Sequence, residues 1–131
     1  MTRLPPVRVV RAATGVRTAI QGLSRRMVPP EVGALVTASA EIRERPASMS
    51  WPRIETAESM TTLVSGKPLE WSARQAYREL LEWIVEDYDI ARHQAALLMA
   101  MVAQAGICQI SNTDYTAYCV APRGVWRPYA R

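Results

Sequence analysis

The chain has 131 residues, of which 49% are hydrophobic and 21% are charged, and its formal net charge is +4. This length suits one domain with a real core, and the composition is ordinary for a globular protein. No apolar run approaches the roughly 20 residues that a bilayer-crossing helix needs, so the sequence predicts neither a membrane span nor a membrane partner.

Basic residues are concentrated at the start of the chain. Residues 1–30 contain six arginines and no acidic residue, whereas the remaining residues carry ten basic and twelve acidic side chains. Residues 7–10 suit a short strand, but no helical or strand period is sustained in this region. Its composition resembles an organellar transit peptide and equally suits a poorly ordered arm. We predict a basic, weakly ordered arm over residues 1–30 and a folded domain over residues 31–131.

Three segments after Pro30 have the patterns of extended chain. Apolar and polar residues alternate over residues 32–42, which predicts a half-buried strand. Residues 49–56 are predicted to be extended because Pro52 lacks an N–H and restrains the residue before it. Residues 60–64 are rich in β-forming side chains and predict a further strand. Ser65 and Gly66 are predicted to end it.

Two helices are predicted to follow. Pro68 suits a first helical turn, and apolar residues then recur at helical spacing from Leu69 to Tyr88. Asp89 is the predicted N-cap of a second helix over about residues 91–104, and Gly106 is its predicted left-handed stop.

The centre of the second helix is apolar on nearly every side, which is typical of a helix buried in a larger assembly. We predict that Met99 and Met101 of this helix pack in the core. An adaptable binding surface is the less favoured alternative.

The chain is predicted to close with a β-hairpin formed by residues 107–110 and 115–121 around a turn. That register places Cys108 opposite Ala117 and diagonal to Cys119. Diagonal neighbours lie about 7–8 Å apart, too far for an easy disulfide. We therefore predict two buried thiols in a reduced, cytoplasmic protein.

Together these elements predict an α+β fold. Antiparallel β-strands over about residues 32–64 are followed by two consecutive α-helices in the C-terminal half and by the closing β-hairpin. An isolated piece of this kind would expose apolar surface, which predicts self-association as a homo-oligomer or pairing with a complementary chain.

Several of these segments also form a recognisable linear series. The sequence reads WPRIET at residues 51–56, MTT at 60–62, SGKPLE at 65–70 and ARQAYREL at 73–80. This series, continued by the second helix and the terminal hairpin, resembles the carboxyl-terminal portion of the acetamidase/formamidase family over about residues 49–126. The resemblance implies hydrolysis of small linear amides to a carboxylate and ammonia, and a complementary amidase chain as one partner.

The resemblance implies that most active-site residues of the family lie upstream of the matched region, in Asp/His-bearing loops and a QGDGE segment. Glu31 is the residue that would correspond to the end of that segment, so it is the candidate catalytic residue. A solvent-exposed residue at the start of a strand is the alternative for Glu31. We expect a short or truncated amidase-like hydrolase, or alternatively a non-catalytic remnant or accessory subunit. The cofactor stays open, with a divalent metal in the complete family fold as one option.

Other candidate residues carry weaker signals. His93, the only histidine, is interpreted as a surface or packing residue. Ser65-Gly66-Lys67 lacks the remaining elements of a phosphate-binding loop. The arginine-rich start suits a small basic binding protein, but the absence of interleaved aromatic residues does not favour nucleic acid as its partner. Acidic residues of the helices are interpreted as a solvated face rather than a cation site; they are Glu79, Glu82, Glu86, Asp87 and Asp89.

Overall fold

The computed structural model describes residues 8–12, 38–42, 44–110 and 113–129. The chain divides into two compact units, Met1–Ala47 and Ser48–Arg131. In the first unit, strand β1 (Arg8–Ala12) pairs antiparallel with strand β2 (Ala38–Ile42). Strand β2 lies within the strand predicted over residues 32–42, of which residues 32–37 are outside the described part. The division into an arm and a domain at residue 30 stays a prediction.

The second unit contains a four-stranded antiparallel sheet in the order β3-β4-β6-β5. Its strands are β3 (Arg53–Glu55), β4 (Ser59–Gly66), β5 (Gln104–Gln109) and β6 (Tyr115–Pro122). Helices α1 (Leu69–Tyr88) and α2 (Arg92–Val102) connect β4 to β5, and two 3-10 turns, Arg123–Val125 and Arg127–Tyr129, follow β6. The predicted α+β fold is confirmed.

Helix α1 packs across the two central strands. Alternate side chains of β4 and β6 point towards it and are buried, and those of β6 are small. The small side chains let the helix lie close to the sheet, and its larger apolar residues fill the space between them. The main contributors to this core are Met60, Val64, Cys119 and Ala121 from the sheet and Ala76, Leu80 and Ile84 from the helix.

Two buried hydroxyl groups join α1 to the sheet by hydrogen bonds. Thr62 Oγ1 donates to the backbone oxygen of Ala76 at 2.6 Å. Ser72 Oγ lies 3.0 Å from the backbone oxygen of Gly66 and 3.3 Å from that of Tyr115. Because buried polar groups are costly without partners, these bonds select one position of the helix along the strands.

Strand β4 runs through Gly66 instead of ending at Ser65, so the predicted break is wrong. Gly66 pairs with Tyr115 of β6. A Cβ atom at Gly66 would lie 2.6 Å from Cζ3 of the Trp71 ring. The glycine is therefore needed for the close approach of this ring and not for a turn.

The prediction of Asp89 as an N-cap is wrong. Asp89 ends α1 in the left-handed region, with φ 48° and ψ 40°. Aspartate tolerates this conformation better than most residues, so it takes the place that glycine often occupies. The next residue, Ile90, is buried, and α2 begins after Ala91 without a side-chain cap.

The end of α2 also differs from its prediction. The helix stops at Val102, and Ala103 is already extended. Gly106 therefore lies within β5, where a Cβ atom would meet the ring of Tyr118 at 2.6 Å. Met99 is buried as predicted, but Met101 is 73% exposed, so its assignment to the core is wrong.

The closing hairpin is present, but its register contains an irregularity. Ile107 pairs with Ala117 and Gln109 pairs with Thr116, which leaves Cys108 as an extra residue in a bulge. Cys119 pairs with Ala105 and is buried, whereas Cys108 is exposed. Both cysteines are unpaired. The predicted burial of Cys108 is wrong because the bulge changes the direction of its side chain.

Replacing Thr62 with valine tests the connection between α1 and β4. Thr62→Val keeps the shape of the buried side chain and removes the donor, so we expect a loss of about 1 kcal/mol in the free energy of unfolding. Urea denaturation of the full chain measures it. Thr62→Ser keeps the donor and serves as the control for lost methyl packing. A Thr62→Val protein as stable as the wild type would contradict this assignment.

Candidate functional site

The segment that carries the family resemblance, residues 51–56, begins on an aromatic contact and enters β3. The ring of Trp51 meets the ring of Trp71 edge-on, with centroids 6.4 Å apart and an interplanar angle of 75°. The backbone oxygen of Pro52 accepts the N–H of Leu63 at 3.2 Å. These contacts hold the start of the segment against the first turn of α1 and against β4.

Arg53 is the most enclosed charged residue of this segment, with a side chain only 7% exposed. Its guanidinium lies 5.1 Å from the centroid of the Trp83 ring. Its Nη1 is 3.4 Å from Oε2 of Glu86, and its Nη2 donates to Ser48 Oγ at 2.7 Å. A planar guanidinium can lie flat on a ring and donate through several forked N–H groups in its own plane, whereas an ammonium group acts as a compact point charge. Arg53 therefore fastens the edge strand β3 to the second half of α1.

The residues just before β3 are held by two acidic side chains of α1. Glu79, which is only 8% exposed, accepts the backbone N–H of Ser50 at 3.2 Å. The hydroxyl of Ser48 donates to Glu86, which also pairs with Arg53. The interpretation of the acidic residues as a solvated face is therefore wrong for Glu79, which binds the backbone of a neighbouring segment.

A second arginine fastens the other end of β3. Arg123 Nη2 is 2.9 Å from Oε1 of Glu55, and Arg123 Nη1 donates to the backbone oxygen of Thr56 at 3.3 Å. The backbone N–H of Arg123 donates to the oxygen of Glu58 at 2.8 Å. The residue after β6 thus holds the turn between β3 and β4 in place. We refer to Ser48, Arg53, Glu55, Glu79, Trp83, Glu86, Asp87 and Arg123 as the Arg53 cluster.

Asp87 is the acidic member of the Arg53 cluster whose pKa is shifted. Burial of its carboxyl raises its pKa, while the Trp83 indole, which donates to it at 2.8 Å, and the charge of Arg53 partly offset this effect. The nearby carboxylates of Glu55 and Glu86 raise it further. A raised pKa favours the protonated carboxyl in the folded state. The contribution of Asp87 to stability is therefore complete at low pH and falls as the pH rises through that pKa.

The carboxylates of the Arg53 cluster are engaged separately and do not converge on one point. Glu82, outside the cluster, pairs with Arg92 of α2. Within the described ranges, no group of three or more histidine, cysteine, aspartate or glutamate side chains is arranged to hold a metal ion. The contacts of the Arg53 cluster hold β3 and the turn after it against neighbouring elements. They do not bring together a set of side chains that could react with a substrate.

The other candidates lie apart from the Arg53 cluster. His93 is exposed on the first turn of α2, in agreement with its interpretation as a surface residue. Glu31, the predicted catalytic residue, lies outside the described residues. Burial raises the pKa of Cys119 to about 11, and partial desolvation of the sulfur raises the pKa of Cys108, whose residue is otherwise exposed. Neither thiol is therefore prepared as a nucleophile at neutral pH.

Solved structures that match part of this chain include acetamidases. The chain matches the acetamidase of Yersinia enterocolitica at 29% identity and a TM-score of 0.57, over 60% of this chain and 24% of that one. It matches an acetamidase from Bacillus halodurans at 20% identity and a TM-score of 0.63, over 72% of this chain and 32% of that one. The chain resembles the acetamidase/formamidase family.

A third solved structure agrees with this likeness. A predicted acetamidase/formamidase from Thermoanaerobacter tengcongensis matches at 21% identity and a TM-score of 0.57, over 70% of this chain and 30% of that one. No family model and no curated protein matches the chain. The two likenesses near 20% identity show the fold alone.

The chain spans about a quarter to a third of the length of these acetamidases. Within the described part of the chain, helices α1 and α2 are too short or too polar to cross a membrane.

The predicted resemblance to the acetamidase/formamidase family is confirmed, but the sequence did not indicate what Arg53 does. The available signal was the alternation of Trp51, Arg53 and Glu55, which puts a charge on the helix-facing side of a strand. Trp83 and Glu86 at helical spacing on α1 supply its partners. Only the packing of β3 on α1 brings these groups together.

Replacing Arg53 with lysine tests whether this side chain holds β3. Arg53→Lys keeps the charge but loses the stacking on Trp83 and the forked donors, so we expect a loss of about 2–3 kcal/mol in the free energy of unfolding. Chemical denaturation measures it. The matched control, Arg78→Lys at an exposed position of α1, should change little. Equal stabilities for the two variants would contradict the role given to Arg53.

Proposed function

We propose that this chain acts as an acetamidase/formamidase-like hydrolase, or as part of one, and cleaves the carbon–nitrogen bond of small linear amides. The products are a carboxylate and ammonia. The observation that carries the proposal is the likeness to the Yersinia enterocolitica acetamidase, at 29% identity over 60% of the chain. The sequence series from residue 51 to residue 80, which resembles the acetamidase/formamidase family, also supports it.

Amide hydrolysis requires an activated water or nucleophile, a proton donor for the leaving amine and a group that stabilises the developing oxyanion. We assign a role at the reacting centre to Glu31, since the sequence resemblance aligns it with the end of the polar segment of the family. The Arg53 cluster is assigned a structural role, because its charged groups are committed to each other and to backbone atoms.

An accessory subunit is the second candidate. The structural role of the Arg53 cluster favours this candidate, because the described segment that resembles the family makes contacts that stabilise the fold. In this case the chain would pair with a complementary amidase chain that supplies the reacting groups. If the chain is active without a complementary amidase chain, we propose that it forms a homo-oligomer instead.

We also propose that the protein works in a reducing compartment such as the cytoplasm. The support is that Cys108 and Cys119, the two cysteines of the chain, are both unpaired. Cys108 is exposed and would be open to oxidation elsewhere.

Ammonia release from formamide and from acetamide tests the proposed hydrolysis. We expect turnover by the full chain, and we expect Glu31→Gln to lower kcat/KM by about 100-fold or more, which is the usual contribution of a proton-transferring side chain. Glu58→Gln, at an exposed position in the turn before β4, is the matched control and should keep its activity.

Each outcome of this assay separates the candidates. Turnover that survives Glu31→Gln would contradict the role of Glu31 while supporting hydrolysis. If ammonia is absent with both amides, the stand-alone hydrolase is wrong. Ammonia that appears only when a complementary amidase chain is added would support the accessory subunit.

A further inference from the structure

We draw no further inference here: the strongest candidate, the exposed apolar face of α2 that carries Leu97 and Met101, supports none because nothing in the structure shows what covers it.

Discussion

Burial of one face of α1 against β4 and β6 is the interaction on which the rest of the second unit depends. The small side chains of Ala76 and Ala121 allow the helix and sheet to approach closely, and Leu80 and Ile84 fill the core between them. The remaining elements are attached to this pair. Strand β3 is held by ion pairs, and α2 contributes the buried Ala95 and Met99.

The Arg53 cluster shows how a polar network can extend a small core. Two arginines, one before and one after the central strands, fix β3 and its turn without adding large apolar side chains. A buried guanidinium is costly unless it is stacked and paired, so this network penalises alternative positions of β3. These contacts explain how the segment at residues 51–56 is held in the fold, and they do not by themselves indicate an activity.

The elements that sequence analysis predicted well are those with a strong local signal. The apolar spacing of α1 repeats over several turns, so single exceptions do not hide it, and β4 is rich in β-forming side chains. The errors occur at residues whose type suits two different local structures. Asp89 suits both a helix start and a left-handed helix end, and the burial of Ile90 after it favours the second. Cys108 depends on a bulge whose position is set by the pairing of β5 with β6.

The candidate site was less predictable than the fold, because its contacts join residues far apart in the chain. The burial of Glu79 and the pairing of Arg123 with Glu55 depend on elements that meet only after folding. Similarly, the apolar pattern of α2 could not show which side remains open, and Met101 proves to be exposed. The role of Glu31 remains a prediction that rests on the sequence resemblance.

Hydrogen exchange on the full chain tests the central claim that α1, β4 and β6 form one cooperative unit. We expect backbone amides in the middle of all three elements to exchange slowest and to share one opening free energy, while those of β3 and β5 at the edges exchange faster. Exchange of α1 well before β4 and β6 would contradict it, because the helix would then open without disrupting the sheet on which it packs.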